Sequence, residues 1–149
     1  MSGESLRRAA AWLAGTWAGA MAGVGFIAAP VLFGALPRAD AGRIAGRLFL
    51  IDAYLGLALG GVLLLLALRQ ARAEAGEERF RFSTDVLLAL GALFCTVAGH
   101  FGLQPVLEAA RAGSSAVSFA ALHGVASVFF VVKLAAVAAL AWRQTRAWS

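Results

Sequence analysis

Long apolar runs alternate with short charged bands along this chain, and that rhythm predicts its elements. Four runs stand out: about 11–33, about 48–68 broken only by Asp52, about 86–107, and about 119–142 broken by Lys133. Each reaches the roughly 20 residues that a helix needs to cross about 30 Å of hydrocarbon. Helix is the required assignment, because in lipid every backbone N–H and C=O must be satisfied within the chain. The bands between the runs carry the stop and start signals. Pro37 ends the first helix, and Asp40 is placed to cap the second. Residues 69–82, with Gly76 near the centre, read as a charged loop with a short amphipathic end. Ser83 or Thr84 is placed to cap the third helix, and Gly113-Ser114-Ser115 gives a stop followed by a new cap. Short loops make neighbouring helices antiparallel. The expected fold is all-α, a single integral membrane domain of four spans over residues 1–149.

Composition agrees with the pattern. Hydrophobic residues make up 61% of the 149 and charged residues 14%, too few charges to coat a soluble globule of this size. Mean hydropathy is +0.81. The net charge of +5 and the sequence pI near 11.0 would raise nucleic-acid binding in a soluble chain. Here the arginines flank apolar runs, where anionic lipid accounts for them, and no basic patch is interleaved with aromatics. The single cysteine, Cys95, lies inside an apolar run and allows no internal disulfide. Arg7 and Arg8 precede an uncharged stretch from Ala9 to Pro37. That stretch is longer than the roughly 7–15 residue core of a secretory signal, so it is expected to be a retained span.

Orientation follows from arginine counts. With the amino terminus inside, the cytoplasmic side holds Arg7, Arg8, Arg69, Arg72, Arg79, Arg81, Arg143 and Arg146, and the other side Arg38, Arg43, Arg47 and Arg111. Both termini are therefore expected in the cytoplasm. Packing signals are also periodic. Gly15, Gly19 and Gly23, with Ala11 before them, form one stripe; Gly56 and Gly60 form another, and Gly42 and Gly46 a third. Small residues four apart let helix backbones approach where lipid supplies no hydrophobic drive. Close packing within the chain is the first expectation, and self-association or docking to another membrane protein the second.

Polar side chains inside a span are costly and face protein or water, so each is a candidate site. Counted from the start of each apolar run, Asp52, His100, Gln104 and His123 fall at similar depth in the outer leaflet, and His100 and Gln104 share a helix face. Pro30 and Pro105 lie nearby and are expected to kink their helices. Three readings compete for this cluster. The four side chains fix helix register through mutual hydrogen bonds; or they form a pocket for an ion, a proton or a small ligand, with His100, His123 and Asp52 suited to a divalent metal; or His100 and His123 ligate a haem. Lys133 has no acid at the depth so assigned, and its stem is expected to snorkel toward the cytoplasmic interface, where Trp142, Arg143, Arg146 and Trp148 form an anchor. Trp12 and Trp17 read as interface and packing residues. No GxSxG, HExxH, P-loop, dinucleotide fingerprint or CxxCH motif occurs, so the expectation is a protein without catalytic activity.

The stretches Gly25-Phe26-Ile27-Ala28-Ala29-Pro30-Val31-Leu32-Phe33 and Ala41-Gly42-Arg43-Ile44-Ala45-Gly46-Arg47-Leu48-Phe49, with Gln104-Pro105, Phe119 and Leu122-His123-Gly124, resemble the transmembrane protein 205-like domain. That is a four-span family of unknown function, and the likeness covers almost the whole chain. It departs at Ala126, near where the family usually carries a serine. The resemblance implies a bacterial inner-membrane protein and supplies no reaction. It marks Pro30, Gly42, Gly46, Phe49, Gln104, His123 and Gly124, and so favours His123 and Gln104 over His100 and Asp52.

Overall fold

A computed structural model describes residues 3–75 and 82–146. It contains four helices long and apolar enough to cross a membrane: α1 (Gly3–Ala35), α2 (Arg38–Ala75), α3 (Thr84–Arg111) and α4 (Phe119–Arg146). Among the described residues there is no strand. Every helix runs past its apolar stretch. The second begins ten residues before Leu48, so Asp40 lies in its first turn and pairs with Arg43 at 3.1 Å instead of capping. The same helix continues through Ala75, where a loop was expected. Gly76, Arg79 and Arg81 lie outside the described residues. Ser83 caps α3 as expected, its Oγ accepting from the Val86 amide at 3.3 Å. Gly113, at φ 74°, ends that helix in the left-handed turn that glycine adopts without strain. Ser118, not Ser115, caps α4 through the Ala121 amide.

Each of the two membrane-span prolines follows a segment that departs from α-helical geometry. Residues Gly23–Ala28 in α1 and Val97–Gly102 in α3 form wide π turns, each ending just before a proline. Proline lacks an amide hydrogen and its ring collides with the carbonyl four residues back. A widened turn moves that carbonyl aside. In α1 the shift is visible as the Ala29 amide bonding to the Val24 carbonyl, five residues back.

The helices form a ring in which α1 and α3 each touch both α2 and α4, which leaves α1 opposite α3 and α2 opposite α4. The core between them is built from Ala10, Ala14, Trp17 and Met21 of α1, Leu63 of α2, Ala89 and Ala92 of α3, and Val137 and Leu140 of α4. Two of the three glycine stripes do not pack as expected. A side-chain carbon at Gly15, Gly19, Gly23, Gly42 or Gly46 would meet nothing within 4 Å. The α1 face turned inward is instead Ala10-Ala14-Trp17-Met21, and at the start of α2 it is Ala41 and Ala45. Of the glycines in the three stripes, Gly56 and Gly60 are the ones at a tight crossing. A carbon added at Gly56 would lie 3.0 Å from the Trp17 ring, and one at Gly60 2.7 Å from Leu93.

Candidate functional site: a charge pair across the bundle

The dominant polar feature is an ion pair that the depth count did not anticipate. Lys133 Nζ donates to Asp52 Oδ2 at 2.6 Å, and the two residues are only 5% and 6% exposed. Lys133 therefore does not snorkel, and Asp52 is not in an opposite leaflet from it. The error lay in where α2 begins, ten residues before its apolar run. Measured from the true starts at Arg38 and Phe119, both residues lie fourteen positions along helices that enter from the same end, about 21 Å in at 1.5 Å per residue.

Side-chain direction completes the match. Helical side chains lean toward the helix N-terminus, so the stem of Lys133 reaches back along α4. The spacing of a second tie shows how far. Gln144 Nε2 donates to Gln70 Oε1 at 3.2 Å, again joining α4 to α2. Asp52 and Gln70 are about 27 Å apart along one helix, and Lys133 and Gln144 about 16 Å apart along the other. The long lysine stem and the inclination of the helices take up the difference.

Aromatic rings wall the pair. The ammonium lies 5.4 Å from the centroid of Phe130 and 6.0 Å from that of Trp17, within the range where a ring face attracts a cation. Phe130 is held edge-on by Phe49 at 5.4 Å. Gly25 makes room for that ring, since a carbon there would fall 2.7 Å from Phe130 Cε1. Beside these, the buried Trp17 indole Nε1–H has no acceptor among the described residues. In a low-dielectric interior two opposite charges attract strongly, yet each has lost its hydration. The pair is a place where charge is expensive to hold and responsive to change.

The other expected site residues are dispersed. His100 is half-buried in the π turn of α3, edge-on to Phe101 at 5.1 Å, and lies within Coulombic reach of both Lys133 and Asp52. His123 is exposed and stacks on Phe119 at 5.8 Å. Gln104 donates to Glu108 at 3.5 Å, a weak contact within its own helix. Among the described residues no three His, Cys, Asp or Glu side chains are grouped to hold a metal ion. The trio His100, His123 and Asp52 is not gathered for metal ligation, and the two imidazoles pack on different rings.

A second polar cluster, missed in the sequence, sits at the end of the bundle where Arg7 and Arg146 lie. Asp85 of α3 accepts from Arg143 Nε at 2.6 Å and from Gln144 Nε2 at 2.9 Å. These residues lie outside or at the edge of the apolar runs and carry no motif. Only the packing of the helix ends brings them together.

No curated protein matches the chain, and no solved structure does. A family model described as "Domain of unknown function (DUF4149)" matches residues 12–116. That segment takes in Asp52 and His100 and stops short of α4, and so of Lys133. With most of its length matched, the chain belongs to the DUF4149 family.

Proposed function

We propose that this protein is a non-enzymatic, multi-pass component of the bacterial inner membrane, with both termini in the cytoplasm, that binds a proton or a small cation at Asp52 in exchange for the ammonium of Lys133. The observation that carries this reading is the buried pair itself. Ionisable residues inside spans mark ion pathways and proton relays, and this carboxylate has an internal cation that an incoming one would displace. A proton arriving on Asp52 neutralises the acid and breaks the pair. Lys133 is then the lone charge at that depth, and it either swings its stem toward water or gives up its own proton. His100, near both groups and half-exposed, is the side chain assigned to pass protons between the pair and the end of the bundle away from the termini. The likeness to the transmembrane protein 205-like domain fits a membrane protein with no reaction attached.

Liposomes loaded with a pH-sensitive dye test this directly. Under an imposed pH gradient the reconstituted protein is expected to speed dissipation, Asp52→Asn to abolish the effect, and Lys133→Arg to keep part of it. Dissipation by Asp52→Asn at the rate of the unaltered chain would end the proposal.

A second reading rests on α1. Among the described residues, a side-chain carbon at Gly15, Gly19 or Gly23 would meet nothing within 4 Å, as suits a surface for a second copy or another membrane protein. Gly19→Cys, made in a Cys95→Ala background, is expected to crosslink in native membranes. Absence of any crosslinked species removes this reading.

A further inference from the structure

Beside the charge pair, the Trp17 indole N–H is a buried group with a donor to spare. Trp17 is 1% exposed, and its Nε1 has no acceptor among the described residues. Buried donors of this kind are costly, and in native proteins ordered water commonly meets them. The placement of the ring says where the donor lies. A carbon added at Gly60 would approach Cη2 at 3.4 Å, and one at Gly56 would approach Cζ2 at 3.0 Å. The indole edge therefore follows α2 from Gly60 toward Gly56. Nε1 lies farther along that edge, on the side of Asp52, which is one turn before Gly56 on the same helix face.

Two acceptors border this spot. Asp52 receives the Lys133 ammonium on Oδ2, and a carboxylate has lone pairs beyond that one bond. The Thr96 hydroxyl would lie 3.2 Å from the same added carbon at Gly56. It donates to the Ala92 carbonyl at 2.9 Å, and a hydroxyl that donates can still accept. A water molecule that accepts from Nε1–H and donates to Thr96 Oγ1 and Asp52 makes three hydrogen bonds, the usual complement of a buried water. A metal cation at that position would meet the positive end of the N–H dipole, and an indole N–H offers it no lone pair.

We propose that the ion taken up at Asp52 is the proton and not an alkali-metal cation, and that it arrives through one water molecule held by Trp17, Thr96 and Asp52. This rests on the exchange at Asp52 proposed above. The water passes one proton to the carboxylate and receives another from the side of His100, four residues beyond Thr96 on α3, so it ends as it began. Asp52 becomes a neutral acid and the Lys133 hydrogen bond to it opens. The ionisable groups around Asp52 are Lys133 from α4 and His100 from α3, with Cys95 of α3 within Coulombic reach of the ammonium. The ionisable side chains of α1, Glu4, Arg7 and Arg8, lie nine or more residues from Trp17 along that helix.

Proteoliposomes of the full chain, given an outward proton gradient, test the ion. Uptake of radioactive sodium and rubidium is measured beside the signal of a pH-sensitive dye. The dye is expected to respond while neither isotope enters faster than into empty liposomes. Isotope uptake that Asp52→Asn abolishes would overturn proton selectivity and leave exchange at Asp52 standing, whereas no movement of protons, sodium or rubidium would end both. The water is read without transport. In a chain carrying Trp12→Phe, Trp142→Phe and Trp148→Phe, ultraviolet resonance Raman of the remaining tryptophan is expected to show a hydrogen-bonded indole N–H, weakened by Thr96→Val. A free N–H would remove the water. Trp17→Phe and the nearly isosteric Thr96→Val are each expected to slow proton movement about tenfold, the factor that one lost hydrogen bond carries, with circular dichroism confirming the fold. Proton movement at the unaltered rate in both variants would overturn the route.

Discussion

At the residue scale, the Asp52–Lys133 pair makes the sharpest demand. Lys133→Met leaves a carboxylate buried without its cation, and the loss of one partner of a buried pair costs about 3–5 kcal/mol. The double variant Lys133→Met/Asp52→Asn removes both charges and is expected to recover most of that loss. Thermal midpoints in one detergent, compared around the full cycle, check the sign. The glycines make a second contrast. A carbon added at Gly99 would sit 2.5 Å from Phe129 Cβ, an atom fixed to the backbone, whereas one at Gly19 would meet nothing within 4 Å. Gly99→Ala is therefore expected to destabilise by about 1–3 kcal/mol and Gly19→Ala to leave the midpoint unchanged. In the sequence the two glycines look alike, since spacing reports which residues share a face and not which face turns inward. Asp52 was legible as a site residue and Lys133 was not recognised as its partner, because depth was counted from the edge of hydropathy and not from the start of the helix.

At the element scale, hydropathy gave all four spans, and the two span prolines marked the neighbourhoods where the helices leave α geometry. The π turns were not legible, since they arise from how the chain accommodates Pro30 and Pro105 within otherwise continuous helices. Pro105→Ala restores an amide hydrogen that closes the turn, so hydrogen exchange across 97–102 is expected to slow. Exchange as fast as before would mean that packing against α4, and not the proline, holds the turn open. Helix ends were the weakest part of the reading. Arginine-bearing turns at both ends of α2 extend the helix to a length of about 57 Å, well beyond the roughly 30 Å of hydrocarbon. Charge marks where lipid stops, and the hydrogen-bonded helix goes on past it.

At the scale of the whole molecule, the ring of four antiparallel helices brings Arg7 of α1 and Arg143 of α4 to one end and leaves Arg38 and Arg111 at the other. With Cys95 replaced by alanine, Arg38→Cys and Arg111→Cys are expected to react with an impermeant maleimide added outside intact cells, and Arg72→Cys only after the cells are opened. The reverse pattern would invert the topology proposed from arginine counts. The termini cluster of Asp85, Gln70, Gln144 and Arg143 exists only at this scale, because its members come from three helices and follow no local pattern.

Two polar links between opposite helices, Lys133 to Asp52 and Gln144 to Gln70, run between α2 and α4, while the core that α1 and α3 share is built from Ala10, Ala14, Trp17, Met21, Ala89 and Ala92. Such a frame is braced along one diagonal and loose along the other. Lateral pressure from the bilayer would deform it as a rhombus, moving α1 and α3 while the braced pair keeps its distance. Releasing the inner brace by protonation leaves a single strut near one end, and the far end is then free to splay.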